Sequence, residues 1–302
     1  MVPNSWVPLI QLTRLYTPAA QCLIYLPHLF GILYAAVNQQ SSLSFVIRQA
    51  FVVAGGSFFF SNAAHIWDDL VDAPLDSLME RTRKRPLPRG AITHTSAFLF
   101  AVSQAVGALL FFTWFPVHQS YLCALPSALG TLYYPWAKRH TNFPQLVLGL
   151  VISWGCVIGA LSMGHQSITT SPLRVDPGLA CLTMACACWT MIYDSIYARL
   201  DLRDDIQYGI GSTAVAFGDY LKLFLWILLL TTYGLLVATG AICEFGYWYD
   251  LFATLGATGS LAIFIARVDL KNRSSCWSAF TKSFWYFGGF VAMGLLLEYA
   301  SS

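Results

Sequence analysis

Pro177-Gly178-Leu179-Ala180-Cys181-Leu182-Thr183-Met184-Ala185-Cys186-Ala187-Cys188-Trp189-Thr190-Met191-Ile192-Tyr193-Asp194-Ser195-Ile196-Tyr197-Ala198-Arg199-Leu200-Asp201-Leu202-Arg203-Asp204-Asp205 decides the fold. No charge interrupts it from Pro177 to Tyr193, and then acids arrive at Asp194, Asp201, Asp204 and Asp205. A bilayer's hydrocarbon core is about 30 Å thick and takes about 20 helical residues. The stretch therefore reads as a membrane-spanning helix that delivers carboxylates to one interface. Apolar runs of similar length fall at about 19–37, 45–67, 95–115, 118–136, 143–162, 220–243, 247–266 and 280–298. With 177–198 they predict an all-α polytopic membrane protein of nine transmembrane helices, a single membrane domain over residues 1–302.

Composition agrees. The chain is 57% hydrophobic and 11% charged, with a mean hydropathy of +0.59. Soluble domains carry about 25% charged residues. A soluble enzyme, a disordered chain and a nucleic-acid binder resting on a basic surface are excluded. The eight cysteines lie in or beside apolar runs, without CxxC metal spacing, and read as small apolar filler. With nine helices, all of the 17 Lys and Arg except Arg48 and Arg174 fall on the side of the N-terminus, which the positive-inside rule makes cytosolic. Residues 1–17 carry one Arg and are expected to be neither a signal peptide nor an Arg- and Ser-rich transit peptide, which weighs against mitochondrial import without excluding it.

Two acid clusters dominate that side. The first is Asp68-Asp69-Leu70-Val71-Asp72-Ala73-Pro74-Leu75-Asp76 and the second runs from Asp194 to Asp205. Asp68, Asp72 and Asp76 are four apart, as are Asp201 and Asp205, and Asp194 is seven before Asp201, so each set is expected on one helix face. Pro74 kinks the first helix or ends it, in which case Asp76 stands on a loop. Like charges at that spacing repel, and an ionised acid costs about 2.5–3.5 kcal/mol at the bilayer centre. A neutralising cation is implied, and oxygen-only ligands favour Mg²⁺ or Ca²⁺. Mg²⁺ commonly completes its shell with substrate phosphate, so two facing clusters suggest a bound diphosphate. Lys138 and Arg139 can meet its oxygens, and Arg81 and Arg85 can bind phosphate or order their loop. For Arg83, Lys84 and Arg89 a headgroup anchor is the simpler reading.

These residues resemble the UbiA-type intramembrane prenyltransferases. Asp68-Asp69-x-x-Asp72-x-x-x-Asp76 followed by Arg81-Thr82-x-x-Arg85-Pro86-Leu87 is similar to the family's NDxxDxxxD and RTxxRPL. Asp194, Tyr197, Ala198, Asp201, Asp204 and Asp205 match its DxxYAxxDxxDD in full, and Gly209-Ile210-Gly211-Ser212-Thr213 looks like its GIKST segment. Tyr134-Pro135, Lys138-Arg139, Thr141 and Pro144-Gln145 resemble YPxxKRxTxxPQ. There are departures. Asp68 stands where Asn is usual, Lys84 where Asn is common, and Arg14-Leu15-Tyr16-Thr17-Pro18 where RxDKP is frequent, with Ala20 where a Gly is expected. The first acid string and the compact length look most like the fungal members that prenylate aromatic polyketides in meroterpenoid pathways.

The resemblance implies helices around a central cavity and a Mg²⁺-dependent transfer of a polyprenyl group, farnesyl in expectation, to an aromatic carbon of a phenolic acceptor. It implies Asp68, Asp72, Asp76, Asp194, Asp201 and Asp205 as metal ligands. Lys138 and Arg139 join the catalytic acids Asp72, Asp76, Asp201 and Asp205. Tyr134, Tyr197, Arg81, Arg14 and Asn62 are expected to contact substrate, with Arg14 a partner for an acceptor carboxylate and Asn62 bonding either the acceptor or a neighbouring helix. His65, one turn before Asp69, is a base, a packed polar group or, against the oxygen preference of Mg²⁺, a ligand. The expected partners are an isoprenoid diphosphate, an aromatic acceptor and membrane lipid, with no nucleic acid and no obligate protein partner. The endoplasmic reticulum or another internal membrane is the expected location. A UbiA-type terpene cyclase and a 4-hydroxybenzoate polyprenyltransferase share these motifs. A cation-coupled transporter is the distant alternative, since transporter acids usually lie near the midplane.

Overall fold

The computed structural model describes residues 3, 5–16, 18–116, 120–165, 168–170 and 173–302. Thr17 of the N-terminal stretch and the Arg174 side chain lie outside the described residues. A short helix α1 (Val7–Leu12) precedes α2 (Pro18–Gln39), α3 (Leu43–Asp76) and α4 (His94–Leu110), the last extended by a 3-10 turn at Phe111–Trp114. A 3-10 turn at Ser120–Ala124 leads into α5 (Leu125–His140). Next, α6 (Pro144–Ser153) and α7 (Gly155–Ser162) form one rod, interrupted at Trp154. The second half comprises α8 (Pro177–Ala198), the short α9 (Leu202–Tyr208), α10 (Thr213–Phe217) running into α11 (Leu221–Cys243), α12 (Ala257–Arg267) entered through a π-helical Tyr249–Gly256, and α13 (Arg273–Ser301). Among the described residues, eight of these rods are long and apolar enough to cross a bilayer. The α5 rod, 16 residues long with Lys138, Arg139 and His140 in its last turn, is not among them. The only strands described, β1 (Ile168–Thr170) and β2 (Leu173–Val175), form an antiparallel hairpin with Ile168 opposite Val175.

One acid cluster follows the helical-face reading and the other departs from it. α3 continues through Pro74 to Asp76, so the whole Asp68–Asp72–Asp76 ladder stays helical. Pro74 removes one N–H close to the helix end, and Ser77 N–H still reaches the Ala73 carbonyl at 3.2 Å. The second cluster, by contrast, does not share one helix. α8 ends at Ala198 in tightened i→i+3 bonds, Leu200 N–H to Tyr197 O at 2.9 Å and Asp201 N–H to Ala198 O at 3.2 Å. Arg273 of α13 donates to the Leu200 carbonyl at 2.8 Å, satisfying an acceptor that a continuing helix would have used internally, and the Arg199 side chain donates to the Leu270 carbonyl on the approach to α13 at 3.0 Å. Asp194 therefore belongs to α8, and Asp201 caps α9, which carries Asp205.

The main core joins α2, α8, α11, α12 and α13, with Trp189, Tyr34, Tyr249, Phe284 and Phe287 completely or almost completely enclosed. Trp189 stacks on Phe287 with ring centroids 4.7 Å apart. α2 and α7 meet through small residues. A Cβ added to Gly31 would strike the Cys156 carbonyl, and one added to Gly159 the His28 carbonyl. Such close approach replaces the missing hydrophobic drive between helices in lipid with backbone packing.

Candidate active site

One end of α3, the ends of α5 and α8, and the turns after them enclose a cavity of about 770 Å³. On α3 the lining side chains are Phe60, Ala64, His65, Asp68, Asp72 and Asp76, a single stripe set by the 3.6-residue repeat. Tyr134 and Lys138 of α5 and Tyr193, Asp194 and Tyr197 of α8 form the facing wall with Asp201 and Asp205. Arg81, Lys84, Arg85 and Arg89 rim the mouth, and Leu23, Ile24, Leu148, Val151 and Ile152 make the apolar depth. The second motif's turn is locked to α5, because Gly211 N–H donates to the Lys138 carbonyl at 2.7 Å. A Cβ on Gly211 would collide with the Thr141 carbonyl, which explains a glycine there.

Every acid ladder is met by bases. Arg81 grips Asp201 through two bonds, 2.8 Å from Nε and 2.7 Å from an Nη, and lies 5.3 Å over the Tyr197 ring. Arg85 bridges Asp76 at 2.7 Å and Asp69 at 3.0 Å, and Arg14 reaches the same Asp69 oxygen at 2.6 Å. Lys138 pairs with Asp72. Burial works against the charge of Arg81 and Arg85, yet Asp201 beside one, and Asp69 and Asp76 beside the other, hold both above the usual arginine range. Burial pushes the Asp205 carboxyl up to about 7, with Asp201 adding to the rise, while Ser212 Oγ donates to it at 3.3 Å.

The structure brings Asp68, Asp72, Asp76, Asp194, Asp201, Asp205, Tyr134, Tyr197, Lys138, Arg81 and Arg14 to the cavity wall. Two of the expected residues are not among the lining groups. Arg139 donates to the Val71 carbonyl at 3.0 Å, and Asn62 is buried between helices, accepting from Gln21 and donating to Gln104, each at 3.0 Å. Asp69, to which motif reading assigns no role, carries a structural load, and Arg85 shares it, in keeping with the loop-ordering alternative. Asp69 is one residue, or 100°, round the helix from Asp68, where Arg14 and Arg85 cover it completely. Gln145, whose Oε1 accepts from Thr213 N–H at 3.0 Å and whose amide bonds Asp194, was legible as part of a motif but not as a contact. Trp277 and Phe280 of α13 line the cavity with no sequence signal at all.

The donor set was tested for a hard cation. Asp68 Oδ1 and Asp72 Oδ1 are buried oxygens with no hydrogen-bond partner among the described residues, and the acids of both clusters offer oxygen alone, with His65 one turn before them. These are the ligands Mg²⁺ takes. Among the described residues no three such side chains already converge on one point. The residues present fit a cation shared between the clusters and an anionic ligand rather than a closed protein cage.

The profile of the UbiA prenyltransferase family matches residues 24–288. The prenyltransferase stbC of Stachybotrys bisbyi is 31% identical over 302 residues, covering 99% of this chain and 89% of its own length. The mitochondrial 4-hydroxybenzoate polyprenyltransferase of Caenorhabditis elegans is 32% identical, covering 98% and 81%. In fold, a UbiA homologue from Archaeoglobus fulgidus bound to GPP and Mg²⁺ superposes with a TM-score of 0.73 at 16% identity, over 97% of this chain and 99% of that one. With two acid clusters facing each other across an apolar cavity in a multi-pass membrane protein, and relatives aligned almost end to end, this chain belongs to the UbiA prenyltransferase family and is a prenyltransferase.

Proposed function

We propose that this enzyme moves a polyprenyl group, farnesyl in the first instance, from its diphosphate to an aromatic carbon of a phenolic acceptor of the polyketide type, in meroterpenoid biosynthesis. The observation that carries it is the polarity of the cavity. Six carboxylates and six cations, Arg14, Arg81, Lys84, Arg85, Arg89 and Lys138, line its polar part, whereas its depth is walled by Leu23, Ile24, Leu148, Val151, Ile152 and Phe280. A diphosphate head with a hydrocarbon tail has that shape of polarity. The similarity to the prenyltransferase stbC and to the 4-hydroxybenzoate polyprenyltransferase of Caenorhabditis elegans favours transfer to a phenolic acceptor over internal quenching of the cation.

In this reading Asp68, Asp72 and Asp76 on α3 and Asp194, Asp201 and Asp205 opposite hold Mg²⁺, which supplies Lewis-acid neutralisation of the diphosphate leaving group. The chain's own cations complete the anion site. Lys138, Arg81 and Arg85 exchange their present carboxylate partners for diphosphate oxygens, Arg81 and Arg85 with planar donor pairs and Lys138 as a point charge. Tyr134 and Tyr197, with Phe280 beside them, face the allylic carbon with π electrons and exclude water from it. Arg14 holds the α1 end over the cavity and offers a cation to an acceptor carboxylate. Arg139 and Asn62 act through what they hold in place, the end of α3 and the α2–α3–α4 contact. One core cluster runs from α2 to α13, which supports residues 1–302 as one membrane domain. The basic mouth faces the cytosol in this proposal, from the endoplasmic reticulum or another internal membrane.

The test is incubation of membranes containing the protein with Mg²⁺, farnesyl diphosphate and a panel of phenolic acids, read by mass spectrometry. A product heavier by one prenyl group, lost in Asp72→Ala and Asp201→Ala, is expected. Diphosphate release with a terpene alcohol or hydrocarbon and no adduct would overturn the acceptor in favour of cyclisation.

A further inference from the structure

Among the described residues His65 is the one imidazole on the cavity wall, and the prenyl transfer proposed above gives it no task. Its ring is fixed. Nδ1 lies 2.8 Å from the Ser61 carbonyl, which can only accept, so Nδ1 carries the hydrogen and Nε2 is left with a lone pair. The Ser61 hydroxyl, 3.2 Å away, adds a second hold on the same nitrogen. Among the described residues no side chain or backbone group bonds Nε2, yet it is not one of the sealed, partnerless atoms, so its lone pair opens on the cavity.

Its depth is also specified. His65 lies about 20° from Asp72 and about 20° from Asp76 around α3, between the two, and stands about 4.5 Å along the axis from Asp68 on the side away from the mouth. If the acids mark where the diphosphate sits, His65 is level with the allylic carbon attached to it and with whatever attacks that carbon. Phe60 and Ala64 of the same helix also line the cavity and give it apolar surface for an aromatic ring.

We propose that His65 Nε2 is the proton acceptor for the phenolic hydroxyl of the acceptor, and that it thereby selects phenols as substrates. The inference rests on the aromatic-transfer reading above. The phenol O–H bond breaks and its proton passes to Nε2. The ring carbon ortho or para to that oxygen forms a bond to the allylic carbon, whose bond to the diphosphate oxygen breaks with its electron pair leaving on the diphosphate. The resulting dienone loses its ring C–H proton to the released diphosphate and regains the hydroxyl proton from the imidazolium. The sum is one C–C bond made, one C–O bond broken and one proton carried off by the diphosphate. Deprotonating the oxygen before attack raises the electron density of the ring, and a positioned base contributes about 10²–10⁴-fold.

The experiment compares wild type, His65→Ala and His65→Gln in reconstituted membranes with farnesyl diphosphate and Mg²⁺, across acceptors graded in phenol acidity, including nitrophenols and the methyl ethers. His65→Ala is expected to slow turnover of weakly acidic phenols by about 10²-fold, with the deficit shrinking toward nothing for nitrophenols that are already ionised. His65→Gln, which keeps an acceptor atom but no base, should recover positioning and hence KM for the phenol, but not kcat. Wild type should reject the methyl ethers. A second readout needs no turnover: a nitrophenol bound to wild type should show the phenolate absorbance at a pH where free ligand does not, and lose it in His65→Ala. A uniform deficit across all phenols, no deficit, or identical bound spectra overturns the role of His65 while leaving the transferase standing. Wild type that releases diphosphate without any aromatic product overturns the underlying reading, and this proposal with it.

Discussion

Asp69→Asn tests how the cavity wall is held. The Asp69 carboxylate is completely enclosed, and it anchors Arg14 at 2.6 Å and Arg85 at 3.0 Å, side chains that are themselves only 13% and 20% exposed. Each pair, at a charge separation of about 4 Å and an effective dielectric near 20, is worth about 4 kcal/mol before desolvation is subtracted. Removing one partner of a buried pair typically costs about 3–5 kcal/mol, because the remaining charge has lost water without gaining a counter-charge. Arg85 keeps Asp76 at 2.7 Å, and both guanidiniums retain some solvent, so the lower end applies, about 3 kcal/mol. The assay is denaturant titration of the purified protein in mixed micelles, followed through tryptophan fluorescence. Asp68→Asn serves as the comparison, since Asp68 lines the cavity and has no ion pair among the described residues. Asp69→Asn should lose about 3 kcal/mol and Asp68→Asn far less. A loss below about 0.5 kcal/mol for Asp69→Asn, the range of ordinary surface changes, would refute the reasoning. So would full stability combined with abolished Mg²⁺-dependent turnover, for that places Asp69 in the cavity chemistry instead of behind it.

Three further outcomes follow from the same geometry. Asp205, held up to about 7, binds a proton in the folded chain that the unfolded chain gives up near pH 4, so metal-free stability should fall as pH rises from 5 to 8; Asp205→Asn should flatten that slope in the same denaturant assay. Arg81→Lys keeps the charge but loses the forked grip on Asp201 and the stacking on Tyr197, and should cost about 10-fold in kcat/KM for the prenyl diphosphate, with Arg81→Ala worse; equal kinetics for Lys and Arg would show that only charge matters there. Gly159→Ala drives a methyl group into the His28 carbonyl and should destabilise the α2–α7 contact by about 1–3 kcal/mol, measured by thermal inactivation or denaturant midpoint, whereas Gly259→Ala, with open space around it, should be close to neutral.

Several features of the fold and the site were legible in the chain because they are periodic or local. Hydrophobic runs as long as a bilayer is thick can only be satisfied as helices, since each helix pairs its own backbone in lipid. The Asp68–Asp72–Asp76 repeat has one helical solution, and α3 adopts it straight through Pro74. The motif between Asp194 and Asp205 identified its chemistry but concealed its shape. The break at Arg199–Asp201 is stabilised by carbonyl and guanidinium partners on the approach to α13 and on α13 itself, some 70 residues away, and no local pattern reports those.

What the sequence alone determined was therefore the medium, the helical class, and which oxygen and nitrogen groups gather at one interface. Those follow from composition and from a repeat of 3.6, properties of each segment by itself. Only the tertiary structure decided how charge is partitioned within each cluster. Asp68 and Asp69 are adjacent and chemically identical, yet one opens on the cavity and the other is sealed behind two arginines. The difference is a 100° rotation read against neighbours that arrive from Arg14 and Arg85. The direction of His65 is settled in the same way. A single carbonyl one turn back takes its Nδ1 hydrogen, and packing of α2 and α5 around α3 leaves the other nitrogen the cavity.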